Sequence, residues 1–347
     1  MNHMLDEIRQ QPEVVRHIIE HEYHSVQDFA KEINRRGIKY AVIAARGTSN
    51  NAAVFAKYVL EIQHGIPTAL SAPSAFTLYG TYPQFGPEAL VLGISQSGAA
   101  PDVIEVIRCA RAAGALTACI TNESESSLAT EAEYTLCMNA GEEVGIAATK
   151  TYTGSLAIMA LLSSVMDDAH PERIVHLQRA TDAMEKTLKH DDAMHKLVER
   201  YKDITECVVL GRGFNMCTAY ETALLLTETC YISARPFSAA DFQHGHIAQV
   251  HSGYPCLMFA PDGKAFKPMV ELASILKNVH PALICFAHDA AFLSGSETAV
   301  RIPAPLAEWV SPLVYAVAGQ LFAYWLAVAK GNDPDIPRRI AKLTKTV

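Results

Sequence analysis

The sequence has little of what marks nucleic-acid-binding, nucleotide-binding and secreted proteins. Its 347 residues include 29 Lys and Arg against 37 Asp and Glu, and the net charge of −8 argues against a broad surface for nucleic acids or acidic membranes. The glycine patterns GxGxxG and GxxxxGK(S/T) are both absent, so nucleotide binding has little support. The N-terminus also lacks the basic and then apolar pattern of a signal peptide.

Cysteine pairs are missing as well. The eight cysteines stand singly, with no CxxC pair to suggest a zinc site or redox chemistry. Several lie in apolar runs, as Cys119 and Cys285 do, and such settings are typical of free, buried thiols in a reducing compartment. We therefore expect a cytoplasmic protein that uses neither a metal ion nor another cofactor.

One uncharged stretch, residues 310–329, is long enough to span a bilayer. Pro312 and Gln320 interrupt it, and the polar residues from Lys330 onward end it as they would end a helix. Because no second such stretch exists, we expect a buried helix of a core or a subunit interface and no membrane partner.

The residues that are present indicate a globular α/β protein. Half of them are apolar and 19% are charged, and the length corresponds to about two domains. Strand-like segments alternate with helical ones, such as residues 50–61 and a helix from Pro101, which predicts parallel sheets covered on both faces. The predicted strands are Tyr40–Ala44, Ala89–Ile94, Leu116–Ile120, Cys207–Leu210, Pro255–Phe259 and Ala282–Phe286.

The two halves of the chain repeat the same spacing. The Arg-Gly pair at residues 46–47 recurs at residues 212–213, an offset of 212 − 46 = 166. Chance coincidence of glycines is the alternative, but the matching strands favour a duplication. Two further glycine pairs are separated by 165 residues, namely Gly98 with Gly263 and Gly80 with Gly245.

We therefore predict two tandem doubly wound parallel-sheet domains of nucleotide-binding-like topology. The first, residues 1–168, includes an N-terminal helical segment. The second, residues 169–347, begins in a charged, partly helical linker region (167–202) and ends in a C-terminal tail.

Hydroxyl side chains follow a strand in the first half only. Ser95-Gln96-Ser97-Gly98 stands between a strand and a helix that begins at Pro101, whereas the second half has Ala260-Pro261-Asp262-Gly263 there. Free N–H groups and the positive helix end at such a turn favour a phosphate. Residues 46–50 follow the preceding strand in the same way, and both turns belong at the carboxyl edge of the sheet, where ligands bind. Simple helix capping by serine is the alternative.

At these residues the chain resembles the SIS (sugar isomerase) family of phosphosugar proteins, and within it the isomerase half of glutamine–fructose-6-phosphate aminotransferases. The likeness covers nearly the whole chain and implies two tandem SIS domains. It also implies a hexose 6-phosphate or a 2-amino-2-deoxyhexose 6-phosphate as substrate. The motifs that carry it are Met4–Pro12, Gly47–Ser49, Ser95–Gly98, Gly141–Lys150 and Pro337–Lys342.

The resemblance also implies roles for individual residues. Glu228 takes the place of the base that moves a proton between C1 and C2. His244 takes the place of the histidine that opens the sugar ring and, in a homodimer, reaches into the neighbouring subunit's site. Lys342 takes the place of the lysine that contacts the open-chain carbonyl and can form a Schiff base. The substrate-binding residues implied are Thr48, Ser49, Ser95, Gln96, Ser97 and the backbone near Ile146.

The residues themselves agree with this chemistry. Aldose–ketose interconversion needs a carboxylate that takes and returns a proton, and an acid or base for the ring oxygen. Glu228 lies in the apolar segment Leu224–Cys230, so we expect burial to raise its pKa; the alternative is a helix-surface glutamate. His244 and His246 suggest a metal pair as a second alternative, but the spacing offers no third ligand. Lys342 on its own is typical of a solvated tail.

The chain departs from the aminotransferase pattern at four positions. Ala100 replaces a common hydroxyl, Leu225 a lysine, Arg235 an acidic residue, and His246 a common proline. We also find no glutaminase domain and no N-terminal catalytic cysteine, so glutamine-dependent amination is not expected.

The resulting hypothesis is a homodimeric phosphosugar isomerase or amino-sugar-phosphate deaminase, since both reactions use the same C1–C2 proton transfer. The alternative is a non-catalytic phosphosugar sensor. Such a sensor needs Ser95 and Ser97 but has no use for Glu228, His244 and Lys342 together.

Overall fold

The structure, a computed structural model, describes residues 2–167 and 169–342. These residues fold into two compact units, each built around one β-sheet. The predicted domain boundary between residues 168 and 169 stays a prediction, because Asp168 lies outside the described residues. Of the described residues, the first-sheet unit comprises Glu13–Glu143, Lys150–Gln178 and residues 340–342, and the second-sheet unit comprises residues 2–12, Val144–Thr149 and Arg179–Arg339.

Helices and strands alternate along both halves. In the first half they are α1 (His3–His21), α2 (Tyr23–Arg36), β1 (Tyr40–Ala45), α3 (Gly47–His64), β2 (Thr68–Leu70), α4 (Pro73–Thr77), β3 (Ala89–Ile94), α5 (Pro101–Ala112), β4 (Leu116–Thr121), α6 (Ser127–Glu131), β5 (Tyr134–Cys137) and α7 (Lys150–Val165). The predicted linker region contains α8 (Glu172–Leu188) and α9 (Asp191–Val198).

The second half continues with β6 (Glu206–Gly211), α10 (Met216–Cys230), β7 (Ser233–Ser238), α11 (Ala239–Gln243), β8 (Pro255–Ala260), α12 (Phe266–Lys277), β9 (Ala282–Ala287), α13 (Ala290–Ser294), β10 (Thr298–Arg301) and α14 (Ser311–Ala329). Short 3-10 helices cover Glu199–Tyr201, Gly213–Asn215, His246–Gln249 and Glu308–Val310.

The two sheets have one topology. The strand order is β2-β1-β3-β4-β5 in the first and, read in the same direction, β7-β6-β8-β9-β10 in the second, and the strand pairs are parallel. The first strand of each sheet along the chain, β1 or β6, begins at residue 40 or 206, a separation of 206 − 40 = 166, and β3 and β8 begin 255 − 89 = 166 residues apart. The predicted α/β fold of two doubly wound parallel sheets is confirmed.

The glycine correspondences also have a structural basis. Gly47 and Gly213 have φ of 51° and 58°, and Gly98 and Gly263 have φ of 58° and 115°. Residues with a side chain rarely adopt a positive φ, so each pair of glycines marks the same kind of turn after the corresponding strand of each sheet. The match is therefore one of backbone conformation and not only of residue type.

The central strands were predictable from their apolar runs, but four strands were not. These four, β2, β5, β7 and β10, are the edges of the two sheets. An edge strand is less buried than a central one, so its apolar pattern is weaker. Strand β7 even contains Pro236, which an edge strand tolerates because one side needs no N–H donor.

The uncharged stretch forms α14, which packs against α10 and α9 in the second-sheet unit. Within the described residues this is the one helix long and apolar enough to cross a membrane, and 83% of its apolar window is buried. The prediction of a buried helix is thereby confirmed. The eight cysteines are free and seven are buried, as expected; burial raises the pKa of Cys119 to about 11 and of Cys230 to about 12.

Candidate active site

The two predicted turns lie at the switch point of the first sheet. Strands β1 and β3 are neighbours, and the chain leaves β1 for the edge strand β2 but leaves β3 for β4 on the other side. A crevice opens at the carboxyl ends of two such strands, and ligands bind there in open α/β sheets. Residues 46–49 follow β1 and Ser95–Gly98 follow β3, so both turns border this crevice.

The Ser95–Gly98 turn is fixed to the end of β4. The Ser95 N–H donates to the Ile120 carbonyl at 3.0 Å, and the Gln96 carbonyl accepts from the Asn122 N–H at 3.0 Å. The Ser97 hydroxyl accepts a hydrogen bond from the Ala99 N–H at 3.3 Å. A turn held by backbone bonds on both sides is a preorganised place for a ligand.

The helix starts do not use the predicted hydroxyls as caps. Helix α5 has Ala100 at its N-cap position and Pro101 in its first turn, as expected from the sequence. Helix α3 begins earlier than predicted, with Arg46 at its N-cap position. Thr48 and Ser49 therefore lie inside the first turn of α3, not in a loop before it.

The conformation of Gly98 gives a testable constraint. A Cβ on Gly98 would lie 2.0 Å from the Ser126 hydroxyl oxygen, and its φ is in the left-handed region. We expect Gly98→Ala to lower the free energy of unfolding by about 3 kcal/mol or more, through strain and overpacking together. Denaturant titration followed by circular dichroism measures the change.

The matched control is Gly114→Ala at the other end of the same helix. Gly114 has φ +84°, and nothing lies within 4 Å of the added Cβ. This variant therefore reports backbone strain alone, about 1 to 2 kcal/mol. Equal losses in the two variants would contradict the close packing of Gly98 on Ser126.

A cavity of about 700 Å³ lies beside the turn, within the first-sheet unit. Its size is in the range of small-molecule sites. Three of the predicted residues, Gln96, Ser97 and Lys342, line it; Ser95 is buried at 7% exposure, and neither it nor the α3 residues Thr48 and Ser49 belong to the lining. The lining residues are Gln96, Ser97, Ala99, Asn122, Glu123, Asn139, Gly141, Glu142, Glu143 and Lys342.

Lys342 is held at this cavity by a buried carboxylate. Its Nζ donates to Glu143 Oε2 at 2.8 Å, and the Glu143 side chain has no solvent exposure. The same carboxylate accepts from the Thr151 hydroxyl at 2.7 Å and from the Thr151 N–H at 3.1 Å. The tail lysine is thus an ordered ammonium group at the cavity wall and not a solvated end.

Three positioning residues were not predicted. Asn122 follows β4 at the same sheet edge; its amide donates to the Gly141 carbonyl at 2.9 Å and accepts from the Ala140 N–H at 2.8 Å. It thereby fixes the loop that carries Glu143. The rule that ligand sites lie at the carboxyl ends of parallel strands would have found Asn122. The burial of Glu143 had no signal in the sequence.

The third such residue is Asp102, in the first turn of α5. Its side chain is fully buried and accepts from Arg46 Nε at 2.6 Å. This ion pair joins the segment after β1 to the helix after β3, across the mouth of the crevice. An acidic side chain in a first helical turn is also favoured by the helix dipole.

The remaining predicted residues belong to the second-sheet unit. Glu228 is half-buried near the end of α10, and His244 is exposed just after α11. Ile146 is half-buried in a segment whose Gly145 N–H donates to Glu7. The approach of these residues to the cavity and the raised pKa of Glu228 stay predictions.

The described residues contain no group of side chains suited to bind a metal ion. In the described ranges, 2–167 and 169–342, no three His, Cys, Asp or Glu side chains are grouped so that they could hold a metal ion. His244 and His246 flank Gly245 on an exposed loop.

Known proteins share this architecture. The chain is 34% identical over 349 residues to a glutamine–fructose-6-phosphate aminotransferase (isomerizing) of Thermococcus kodakarensis, an alignment that covers 98% of the chain and 57% of that protein. The chain therefore spans little more than half the length of this relative.

Solved structures agree along nearly the full length of the chain. The C-terminal domain of a glucosamine-fructose-6-phosphate aminotransferase from Francisella tularensis superimposes with a TM-score of 0.86 at 27% identity, covering 96% of this chain and 98% of that one. A glucosamine-6-phosphate deaminase from Thermotoga maritima shares the fold, with a TM-score of 0.76 at 20% identity over 99% of this chain and 100% of that one.

The SIS domain family model matches the chain twice, at residues 36–164 and 202–330. Each match spans one of the two parallel sheets. The chain belongs to the SIS domain family, with two SIS domains in tandem.

Proposed function

We propose that the chain is a phosphosugar isomerase or deaminase acting on a hexose 6-phosphate or a 2-amino-2-deoxyhexose 6-phosphate. The observation that carries the proposal is the cavity at the switch point of the first sheet, which is lined by Gln96, Ser97 and Lys342, the last held by Glu143. Support also comes from relatives named aminotransferases (isomerizing), whose names include fructose 6-phosphate.

The phosphate end of the substrate fits the turn after β3. Ser97 brings a hydroxyl, Gln96 an amide, and the start of α5 brings backbone N–H groups and the positive end of the helix dipole. Ser95, Thr48 and Ser49 come from the same sheet edge and are proposed to complete the phosphate contacts.

The sugar end faces the carboxylates of the cavity. Glu142 is exposed and Glu143 is buried against Lys342, so both hydrogen-bond acceptors and one ammonium donor line this part. Carboxylates suit sugar hydroxyls and the ammonium group of an amino sugar, but they repel a phosphate. We therefore place the phosphate at the turn, where the start of α5 adds N–H groups, and the carbonyl carbon near Lys342.

The proton transfer is assigned to the second SIS domain. Glu228 takes a proton from one of the two carbons C1 and C2 and returns it to the other, His244 moves the proton of the ring oxygen, and Lys342 donates to the open-chain carbonyl. His244 is proposed to act in the partner subunit's site of a homodimer. Its exposed position after α11 supports this role, and a cytoplasmic setting fits the free, buried thiols.

The test is to incubate the purified protein with glucosamine 6-phosphate and, separately, with fructose 6-phosphate, while ammonia and sugar products are measured independently. Ammonia release from the amino sugar identifies a deaminase. Interconversion of ketose and aldose phosphates without ammonia identifies an isomerase.

The second candidate is a phosphosugar sensor without turnover, which the same turn and cavity would serve. Binding of either sugar phosphate by calorimetry, with no product in either assay, would replace the enzyme by the sensor. Absence of binding as well would overturn the assignment of the cavity.

A further inference from the structure

The second SIS domain has the same pair of turns as the first. Strand β6 lies beside β8, and the chain leaves these two strands in opposite directions across the sheet. Gly213 follows β6 and Gly263 follows β8, both with positive φ. The second sheet therefore has the same two backbone turns as those that border the proposed phosphate crevice of the first sheet. It lacks the hydroxyl side chains that the first sheet has there.

A side chain of the same domain occupies this second crevice. Glu308 Oε2 accepts from the Lys264 N–H at 2.7 Å, and Oε1 accepts from the Ala265 N–H at 3.0 Å. Ala265 is the N-cap residue of α12 and its own side chain cannot cap. The Glu308 carboxylate thus binds the N–H groups that open α12, where the dipole of the helix favours an anion.

The carboxylate also lies between the two turns. A Cβ on Gly263 would come 2.4 Å from Glu308 Oε2, and a Cβ on Gly213 would come 3.7 Å from Oε1. Both glycines therefore leave room for one carboxylate, and a bound oxyanion between such turns would need the same space. At Gly263 a Cβ would collide with the carboxylate, whereas at Gly213 it would only be in ordinary van der Waals contact and the positive φ alone favours glycine.

Glu308 comes from the loop that corresponds to the cavity loop of the first domain. Residues 302–310 connect β10 to α14, just as residues 138–149 connect β5 to α7 and include Gly141–Glu143 of the cavity lining. The two Glu308 hydrogen bonds hold this second loop against the turn that follows β8.

We infer that the second SIS domain retains an oxyanion-binding pair of turns and that the Glu308 carboxylate is its built-in occupant, which keeps a free oxyanion out. Because Glu308 is attached to the same chain, its effective concentration at the turns is far above that of a free ligand. Its negative charge also repels a second anion.

The charges around the turns decide what the crevice would take when Glu308 is removed. Lys264 is exposed beside its own N–H and favours an anion, whereas Asp262 opposes one. With Glu308 gone, two N–H donors at the start of α12 lose their acceptor. Inorganic phosphate, or the phosphate group of a sugar phosphate, then matches the vacated position in charge and in hydrogen-bond acceptors.

The experiment compares Glu308→Ala with the unmodified chain as inorganic phosphate is raised at constant ionic strength. We expect Glu308→Ala to melt a few degrees lower without phosphate and to regain most of that loss with it. Calorimetry is expected to count one more phosphate per chain than in the unmodified protein. Should Glu308→Ala not fold alone, folding that depends on phosphate supports the inference equally.

Two variants serve as controls. Glu308→Gln keeps the size and one acceptor oxygen, so its melting temperature should not rise with phosphate beyond that of the unmodified chain. Glu271→Ala removes an exposed carboxylate from α12, with its 3.8 Å ion pair to Lys267, and measures the effect of losing a surface charge on the same helix. The inference is overturned if phosphate stabilises Glu308→Ala no more than Glu271→Ala, or if the number of phosphates bound does not increase. Because no turnover is measured, this result is separate from the fate of the proposed function.

Discussion

Glu228→Gln is expected to lose turnover and to keep the binding of the phosphosugar. The amide has the size of the carboxylate and the same position near the end of α10, but it cannot accept and return a proton between C1 and C2. We expect kcat to fall about 1000-fold or more, the upper part of the range for removal of a general base. KM and the calorimetric Kd for fructose 6-phosphate should change by less than about 3-fold, because the proposed phosphate contacts belong to the first domain.

The local structure around Glu228 makes the variant conservative. Its neighbour Thr229 is fully buried and donates its hydroxyl to the Leu225 carbonyl at 2.8 Å, so the helix end is fixed by contacts that do not involve the new amide. Glu228 itself is half-buried, and glutamine keeps its size and its ability to form hydrogen bonds. We therefore expect the melting temperature to stay close to that of the unmodified protein.

Glu271→Gln is the matched control, since it converts an exposed carboxylate of the same unit into an amide. It should have full activity. A Glu228→Gln protein that retains more than about a tenth of kcat would contradict the role of Glu228, because a general base contributes at least about 100-fold. Loss of both turnover and phosphosugar binding in Glu228→Gln would instead indicate a structural role for Glu228.

Lys342→Met is expected to have the second-largest effect, a fall in kcat/KM of about 100-fold. The methionine fills the space of the lysine stem but removes the ammonium that Glu143 holds at the cavity wall, at 2.8 Å. Removal of one preorganised donor at a developing oxyanion costs about that factor. Steady-state kinetics with fructose 6-phosphate measures the loss, and Lys342→Arg tests whether charge alone suffices.

The ion pair between Glu143 and Lys342 allows a second test of the role of Lys342. Glu143→Gln weakens the hold on Lys342 and leaves a polar group for Thr151. We expect it to reduce kcat/KM about 10-fold, and the double variant to be no worse than Lys342→Met alone, because partners in one network are not additive. Losses that simply multiply would show that Glu143 does not act through Lys342.

Borohydride separates the two possible actions of the lysine. A Schiff base between Lys342 and the open-chain sugar is reduced to a stable amine, and the mass of the tail peptide increases by that of the reduced sugar. The Lys342→Met protein is the control. If the lysine acts only as a hydrogen-bond donor, borohydride adds no sugar to the tail.

The duplicated fold could be predicted from the sequence because the central strands of both sheets are continuous apolar runs. β3 and β8 are buried along their full length, and they stand 166 residues apart (255 − 89). The edge strands could not be predicted in this way. β7 contains Pro236 and has no fully buried residue, so its pairing depends on β6 and not on its own composition.

The candidate site was predictable where local sequence determines local structure. The hydroxyl turn, its positive-φ glycine and Pro101 at the helix start are short-range features, and the structure has them all in place. The partner of Lys342 was not predictable, because Glu143 lies 199 residues away along the chain. The occupied crevice of the second domain was not predictable for the same reason, because Glu308 lies 44 residues along the chain from Lys264, whose N–H donates to it.

The burial of the cysteines has a practical consequence. Cys109 is half-buried on α5 while the other seven thiols are buried, so a maleimide dye has one favoured attachment point in the unmodified sequence. Burial and the hydrogen bond to Glu105 raise the pKa of Cys109 to about 11, so little thiolate is present near neutral pH and labelling there will be slow. The dye would be attached to α5, the helix that begins beside the Ser95–Gly98 turn. Its fluorescence offers an optical reporter of ligand occupancy without any engineered cysteine.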